Sequence, residues 1–208
     1  MAKILFTSFY QDRNPVRQRE LELCIVMNIR NKYIDKIYVF LEGKKEDFKI
    51  LNDPKIEVIE SERPTYRKFF ETSNQICGPD DISIISNTDI FFDDTLVHVK
   101  PEKMDGKCLA LSRYHYNPSG EIKLHNEKFS QDVWIFKGKI RAIDYCDFYM
   151  GIRGCDNRIA YEIHKAGYLM KNPAYSIRTI HYHISESRNY DLRAIPKPYL
   201  PVEVGYFE

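Results

Sequence analysis

Apolar runs and helical spacings alternate along the first ninety or so residues. Ile4 to Tyr10 is a short, continuous apolar stretch of the kind that forms a buried strand, and Gln11 to Pro15 interrupts it before a helical segment from Val16 to Arg30. Within that segment Leu21, Ile25, Val26 and Ile29 fall near one face, with Arg17, Arg19 and Arg30 largely off it. Lys36 to Leu41 reads as a second strand, ended by Glu42 and Gly43. A short helix broken by Asn52, Asp53 and Pro54 follows, and Lys55 to Ile59 alternates as a third strand. Thr65 is placed to cap a helix over Tyr66 to Ile76, which Gly78, Pro79 and Asp80 separate from the apolar run beginning at Ile82. Strands separated by helices imply right-handed crossovers, so the expected class is α/β with a central, mainly parallel sheet flanked by helices.

The second half is less regular. Cys108 to Tyr114 and Val133 to Phe136 read as strands, with the polar Asn117 to Lys128 stretch as a loop or hairpin between them. Asp156 to Lys165 reads as a helix closed by Gly167. At 208 residues the chain is long enough for one well-buried core, and a single domain over 1–208 is expected.

Composition narrows the classes of function. Hydrophobic residues at 43% and charged residues at 29% argue against extended disorder. A net charge of +1 gives a phosphate backbone no overall attraction, so nucleic acid is not an expected partner. Cys24, Cys77, Cys108, Cys146 and Cys155 form no Cys-x-x-Cys pair and their number is odd, which predicts reduced thiols and a cytoplasmic setting. No apolar run approaches the roughly 18 residues that span a bilayer, so no membrane insertion is expected.

The chemistry concentrates where the run Ile82-Ser-Ile-Ile-Ser86 delivers Asn87, Thr88 and Asp89 to a strand end. In an open α/β sheet ligands bind beyond the carboxyl ends of the strands, and an acid there can hold a metal that neutralises phosphate oxygens. A polar turn, with Asp93 or Asp94 capping a helix, is the bland alternative. Thr7, Ser8 and Phe9 end the first strand, Glu42 ends the second, and Arg63 and Arg67 follow the third, so all belong to the same expected sheet edge. They offer an aromatic face for a base, a carboxylate for a base or ribose hydrogen bond, and guanidinium groups for phosphate. His181 and His183 alternate in an extended segment and so point the same way, as two imidazoles of one metal shell or as packing residues. Asp132 sits at a strand start, a place from which a carboxylate can bond ligand hydroxyls, and Asp156 at a helix N-terminus is either an N-cap or a proton acceptor. Trp134 suits the core better than a sugar platform.

With these motifs in place, the chain resembles the nucleotide-sugar glycosyltransferases of the GT-A fold, a single Rossmann-like domain. Thr7-Ser8-Phe9 is similar to the family's uridine-contacting first loop, Asn87-Thr88-Asp89 to a degenerate Asp-x-Asp motif, and Gly154-Cys155-Asp156-Asn157 to its later acidic turn before a helix. Within the family the chain looks particularly similar to the N-terminal glycosyltransferase domain of a large chlorella-virus glycosylation protein, a resemblance that implies further domains in a longer polypeptide and a host cytoplasm. The resemblance implies a UDP-sugar donor, a glycan acceptor and Mn²⁺ or Mg²⁺. It makes the N-terminal half nucleotide-binding and the C-terminal half the source of acceptor and metal-closing segments. It implies metal ligation by Asp89, His183 and His181, and nucleotide contacts from Thr7, Phe9, Glu42, Arg63, Arg67, Asn87, Thr88 and Arg188. It implies catalytic work by Asp132 and Asp156. The family's first motif acid is Asn87 here, which puts two-carboxylate coordination in doubt. Rival readings are a binding module that has lost turnover, a sugar-phosphate nucleotidyltransferase, which lacks its usual Gly-rich loop between Thr7 and Pro15, and a phosphatase suggested by Asp93-Asp94-Thr95-Leu96.

Overall fold

A computed structural model describes residues 1–117, 119–185 and 193–207. In chain order the strands are β1 (Lys3–Tyr10), β2 (Lys36–Glu42), β3 (Ile56–Glu60), β4 (Ile82–Ser86), β5 (Ile90–Phe92), β6 (Lys107–Leu111), β7 (Tyr114–Tyr116), β8 (Ile122–Leu124), β9 (Val133–Lys137), β10 (Leu169–Lys171) and β11 (Thr179–His181). The helices are α1 (Pro15–Arg30), α2 (Tyr66–Ile76) and α3 (Cys155–Lys165).

Seven strands form the main sheet in the order β10-β6-β9-β4-β1-β2-β3, and four form a second sheet in the order β5-β11-β7-β8. In the main sheet all pairings are parallel except those of β9, which runs antiparallel between β4 and β6. This is the α/β class expected, with a GT-A-type, Rossmann-like sheet. The reversal of β9 matters for function, because its first residue, Val133, pairs with the last residue of β4, Ser86. The start of β9 therefore shares an edge with the carboxyl ends of β1, β2 and β4.

Alternation along β1 divides the core. Leu5 and Phe9 join Leu21 and Ile25 of α1 on one face, whereas Ile4 and Phe6 join Tyr66, Phe69, Trp134 and Ile159 on the face covered by α2 and α3. Trp134 is 1% exposed and stacks on Tyr66, a core role. The side chain of Asn14 caps α1 by accepting from Val16 N at 2.9 Å, and Thr65 caps α2 by accepting from Lys68 N.

The second half departs from expectation in several places. The strand predicted over Cys108 to Tyr114 breaks after Leu111, and the chain passes into the second sheet as β7. Side chains replace the ladder at the break: Ser112 N donates to Asn172 Oδ1 at 3.0 Å, and Ser112 Oγ to the Ser130 carbonyl at 2.9 Å. The polar stretch after it forms a hairpin, with β8 antiparallel to β7. Helix α3 starts one residue before Asp156. Its N-cap is Gly154 at φ +81°, a conformation only glycine adopts without strain, so Asp156 lies inside the first turn rather than capping it. All five cysteines are free and buried. Among the described residues no helix is long and apolar enough to cross a membrane.

Candidate active site

A cleft of about 710 Å³ opens at the edge where β1, β2 and β4 end and β9 begins, within the size range of pockets that hold ligands of nucleotide size. From β1 it takes Ser8 and Tyr10; from the turn after β4, Asn87, Thr88 and Asp89; and from the other half, Asp132, Asp156, His181 and His183. Thr88 and Ser8 share a hydroxyl hydrogen bond of 2.9 Å that ties the turn to the first strand.

Asp89 is positioned by backbone on both sides. Asn28 of α1, almost fully buried, spends its amide on β5: Nδ2 donates to the Ile90 carbonyl at 2.9 Å and Oδ1 accepts from Phe92 N at 3.1 Å. The other edge of β5 pairs antiparallel with β11, setting His181 opposite Ile90, and Tyr182 N donates to the Asp89 carbonyl at 3.0 Å. The result is a contact of 3.0 Å between His181 Nε2 and Asp89 Oδ2. His183 lies two residues further on, and one ligand atom from each of Asp89, His181 and His183 falls within 4.8 Å of the others. His183 Nε2 is buried and makes no hydrogen bond among the described residues.

Those facts fit a divalent ion. A carboxylate oxygen and two imidazole nitrogens suit Mn²⁺ and its first-row neighbours, and a buried His183 nitrogen with no hydrogen-bond partner among the described residues leaves that ring uncommitted at one end. Burial alone would raise the Asp89 carboxyl, but His181 and the Arg17 guanidinium hold it well below the usual carboxylate range. Burial, with Arg17 second, lowers the His183 imidazole, so it is neutral and its lone pair is available at neutral pH.

Arg17 is the residue that sequence reasoning misplaced. It sits off the apolar face of α1, yet it is 7% exposed, because the β5–β11 ribbon covers that side of the helix. Its Nη2 donates to Asp89 Oδ2 at 2.5 Å and its Nη1 to Glu20 Oε2 at 3.1 Å. Charge at i and i+3 on one helix, Arg17 and Glu20, was the available signal, and such pairs are ordinary on solvent-facing helices.

A second carboxylate group occupies the other side. Asp132 Oδ1 accepts from Asn87 Nδ2 at 2.7 Å, and Oδ2 accepts from Arg113 Nη1 at 2.6 Å. Asn87 therefore serves as a donor that orients Asp132. Asp156 also lines the cleft; burial, and then the charge of Asp132, push its carboxyl up to about 7. Gln131, between them in the cleft wall, has a buried Oε1 with no hydrogen-bond partner among the described residues.

The nucleotide contacts expected from the sequence divide. Glu42, Asn87 and Thr88 line the cleft, as does Arg63, whose Nη2 donates to the Met150 carbonyl at 2.5 Å and whose guanidinium lies over the Tyr149 ring. Thr7, Phe9 and Arg67 are not among the lining residues. Phe9 is fully buried edge-on to Phe48, and Thr7 Oγ1 donates to the Ser86 carbonyl at 3.1 Å. The reason is the two-residue period of β1, which runs on to Tyr10 and turns Ser8 and Tyr10, not Thr7 and Phe9, toward the cleft. Arg67 Nη2 donates to the Asp144 carbonyl at 2.9 Å and pins that loop instead. Arg188 lies outside the described residues.

Comparison with known proteins places the fold and goes no further. No family model and no curated protein matches the chain. Among solved structures, the mannosyltransferase PcManGT from Pyrobaculum calidifontis, in complex with GDP-Man and Mn²⁺, superposes with a TM-score of 0.52 at 11% identity, over 88% of this chain and 57% of that one. The chain thus spans little more than half the length of that protein. A 4-diphosphocytidyl-2C-methyl-D-erythritol synthase from Anaerococcus prevotii aligns more loosely, with a TM-score of 0.43, 15% identity, and coverage of 65% of this chain and 71% of that one. Another structure of a synthase with that name has a TM-score of 0.45 at 11% identity, covering 85% of this chain and 91% of that one. At such identities the likeness is one of fold.

Proposed function

We propose that this chain is a metal-dependent glycosyltransferase that moves a hexose or deoxyhexose, glucose or rhamnose, from a UDP-sugar to a hydroxyl of a glycan acceptor. The observation that carries the reading is the cluster of Asp89, His181 and His183 beside the carboxyl ends of β1 and β4, in which one ligand atom from each residue lies within 4.8 Å of the others. Asp89, His183 and His181 would hold Mn²⁺ or Mg²⁺. The bound cation supplies the charge that a departing diphosphate needs. Ser8, Tyr10, Thr88, Glu42 and Arg63 line the wall on the β1–β2–β3 side, where the nucleoside would lie. On the opposite side Asp132, held by Asn87 and Arg113, orients sugar hydroxyls. Asp156, poised near neutral pH, takes the proton of the acceptor hydroxyl.

The test is Mn²⁺-dependent turnover of a UDP-sugar panel, UDP-glucose first and UDP-rhamnose next, with the product linkage read by NMR. Asp89→Ala should abolish turnover while circular dichroism stays unchanged; near-normal hydrolysis by that variant sinks the assignment. One observation favours a non-catalytic binding module: Asn87, where the family carries an acid, is committed to Asp132. Calorimetric binding of UDP with Mn²⁺ and no product from any donor and acceptor pair would establish that reading instead. Pyrophosphate release from a nucleoside triphosphate and a sugar phosphate would establish a nucleotidyltransferase.

A further inference from the structure

His183 is held in the cluster by its neighbours rather than by bonds of its own ring nitrogen Nε2. On its N-terminal side the last tie is Tyr182 N to the Asp89 carbonyl, beyond the end of β11. On its C-terminal side the chain meets Glu20, which is 3% exposed. One oxygen of that carboxylate, Oε1, accepts from Ile184 N at 2.8 Å and Ser185 N at 2.6 Å; the other, Oε2, accepts from Ser185 Oγ at 2.9 Å and from Arg17 Nη1 at 3.1 Å. A buried, charged acceptor with four donors is a strong anchor, because charge-assisted hydrogen bonds in a low-dielectric setting are roughly twice as strong as neutral ones. Within α1 the carboxylate pairs with Arg17, and its three remaining hydrogen bonds all go to Ile184 and Ser185.

We propose that Glu20 is a positioning residue for cation binding: by clamping Ile184 and Ser185 it fixes the backbone that presents His183 to Asp89 and His181. The inference rests on the reading of the cluster as a metal centre. Among the described residues the hydrogen bonds of Glu20 go to Arg17, Ile184 and Ser185 and not to Asp89, His181 or His183, so it acts through His183. Pre-ordering the third ligand removes an entropy cost that the ion would otherwise have to offset, and groups that orient ligands from behind typically control about tenfold to a hundredfold in metal affinity.

A double-mutant cycle tests this on the full chain, with Mn²⁺ affinity read by calorimetry and the ligand field read by the visible absorption of bound Co²⁺. Glu20→Gln keeps the side-chain shape but removes the charge and one acceptor oxygen. It should weaken Mn²⁺ binding about tenfold or more and alter the Co²⁺ bands as His183→Ala does. In the His183→Ala background the same substitution should cost almost nothing, because the group it positions is gone. Unchanged affinity in Glu20→Gln overturns the proposal. So does an equal loss in both backgrounds, which would mean that Glu20 acts through Arg17 and Asp89 instead. Should Glu20→Gln fail to fold, Ser185→Ala, which removes one of the clamp's hydrogen bonds, carries the same cycle with a smaller expected loss, and equal affinity to wild type there overturns it. Failure of the wild-type protein to bind Mn²⁺ or Co²⁺ would remove the metal centre itself, an outcome distinct from binding that is indifferent to Glu20.

Discussion

Asp156 allows stability, rather than turnover, to report on the chemistry of the cleft. Burial, reinforced by Asp132, raises its carboxyl from 3.8 to about 7. Between those values the folded chain holds a proton that the unfolded chain has released, so the unfolded state binds fewer protons and the stability contributed by this group falls as pH rises from about 4 to about 7. At about 1.4 kcal/mol per pH unit, the rise from 3.8 to about 7 sets a ceiling of ~4 kcal/mol lost by pH 8. Asp156→Asn keeps the size and a hydrogen-bond acceptor for Asn157 N while abolishing the titration. Urea unfolding can be followed by the fluorescence of the single tryptophan, Trp134, which is buried against Tyr66. At pH 4 the variant and wild type should be nearly equal in stability. At pH 8 the variant should be more stable by up to that ceiling, and Asp132→Asn should close part of the gap by removing the second cause. A difference between variant and wild type that does not change with pH would refute the reasoning, because it would mean that the carboxyl titrates alike in both states. If Asp156 is also the proton acceptor, the same variant gains stability and loses transfer, an opposition expected where a site is built against its own stability.

Other outcomes follow from the same geometry. Mn²⁺ at about a hundred times its dissociation constant should raise wild-type stability by about 2.7 kcal/mol, read as a thermal shift, and Asp89→Ala should show no such gain. Phe9→Ala should cost about 3–5 kcal/mol of stability, as a deletion in a closed core, yet leave the KM for a nucleotide-sugar unchanged; a raised KM in a folded variant would put Phe9 against the base after all. Arg67→Ala should leave donor affinity intact and raise proteolytic sensitivity in the loop at Asp144, whereas Arg63→Ala should weaken donor binding; equal effects on donor binding would contradict the different placements of the two side chains.

What could be read from the sequence depended on length and period. The strands at the centre of the sheet are apolar runs of five residues or more bounded by breakers, and the Thr65 cap announces α2 at the residue where it begins. Strands β5, β10 and β11 are three residues each, too short for any alternation to stand out, and they owe their existence to partners distant in sequence. In the cleft, an acid at a strand end and two histidines at alternate positions were conspicuous, and the fold brings Asp89, His181 and His183 within reach of one another. Arg17 was invisible because amphipathic reasoning assigns a charged residue off the apolar stripe to solvent, and only the β5–β11 ribbon buries it. Thr7 and Phe9 entered as nucleotide contacts through the likeness of Thr7-Ser8-Phe9 to a uridine-contacting loop, without applying the alternation of the Ile4 to Tyr10 strand to them. The two-residue period of that strand turns the neighbouring residues, Ser8 and Tyr10, to the cleft side.

The span of the contacts around Asp89 has a consequence for how the protein comes into being. Asp89 meets His181 across 92 positions, and Glu20 meets Ser185 across 165. Contacts of that separation gain nothing until the sheets they bridge exist, so they are expected to form late in assembly, as slow return of hydrogen-exchange protection at Tyr182 and Ser185 during refolding would show. A nascent chain that has formed β1 to β4 carries Asp89 as a lone carboxylate with Arg17 for company. On the proposed reading, a cation would be gripped only once His181 and His183 have joined Asp89, so ion affinity would report that the two distant segments have met.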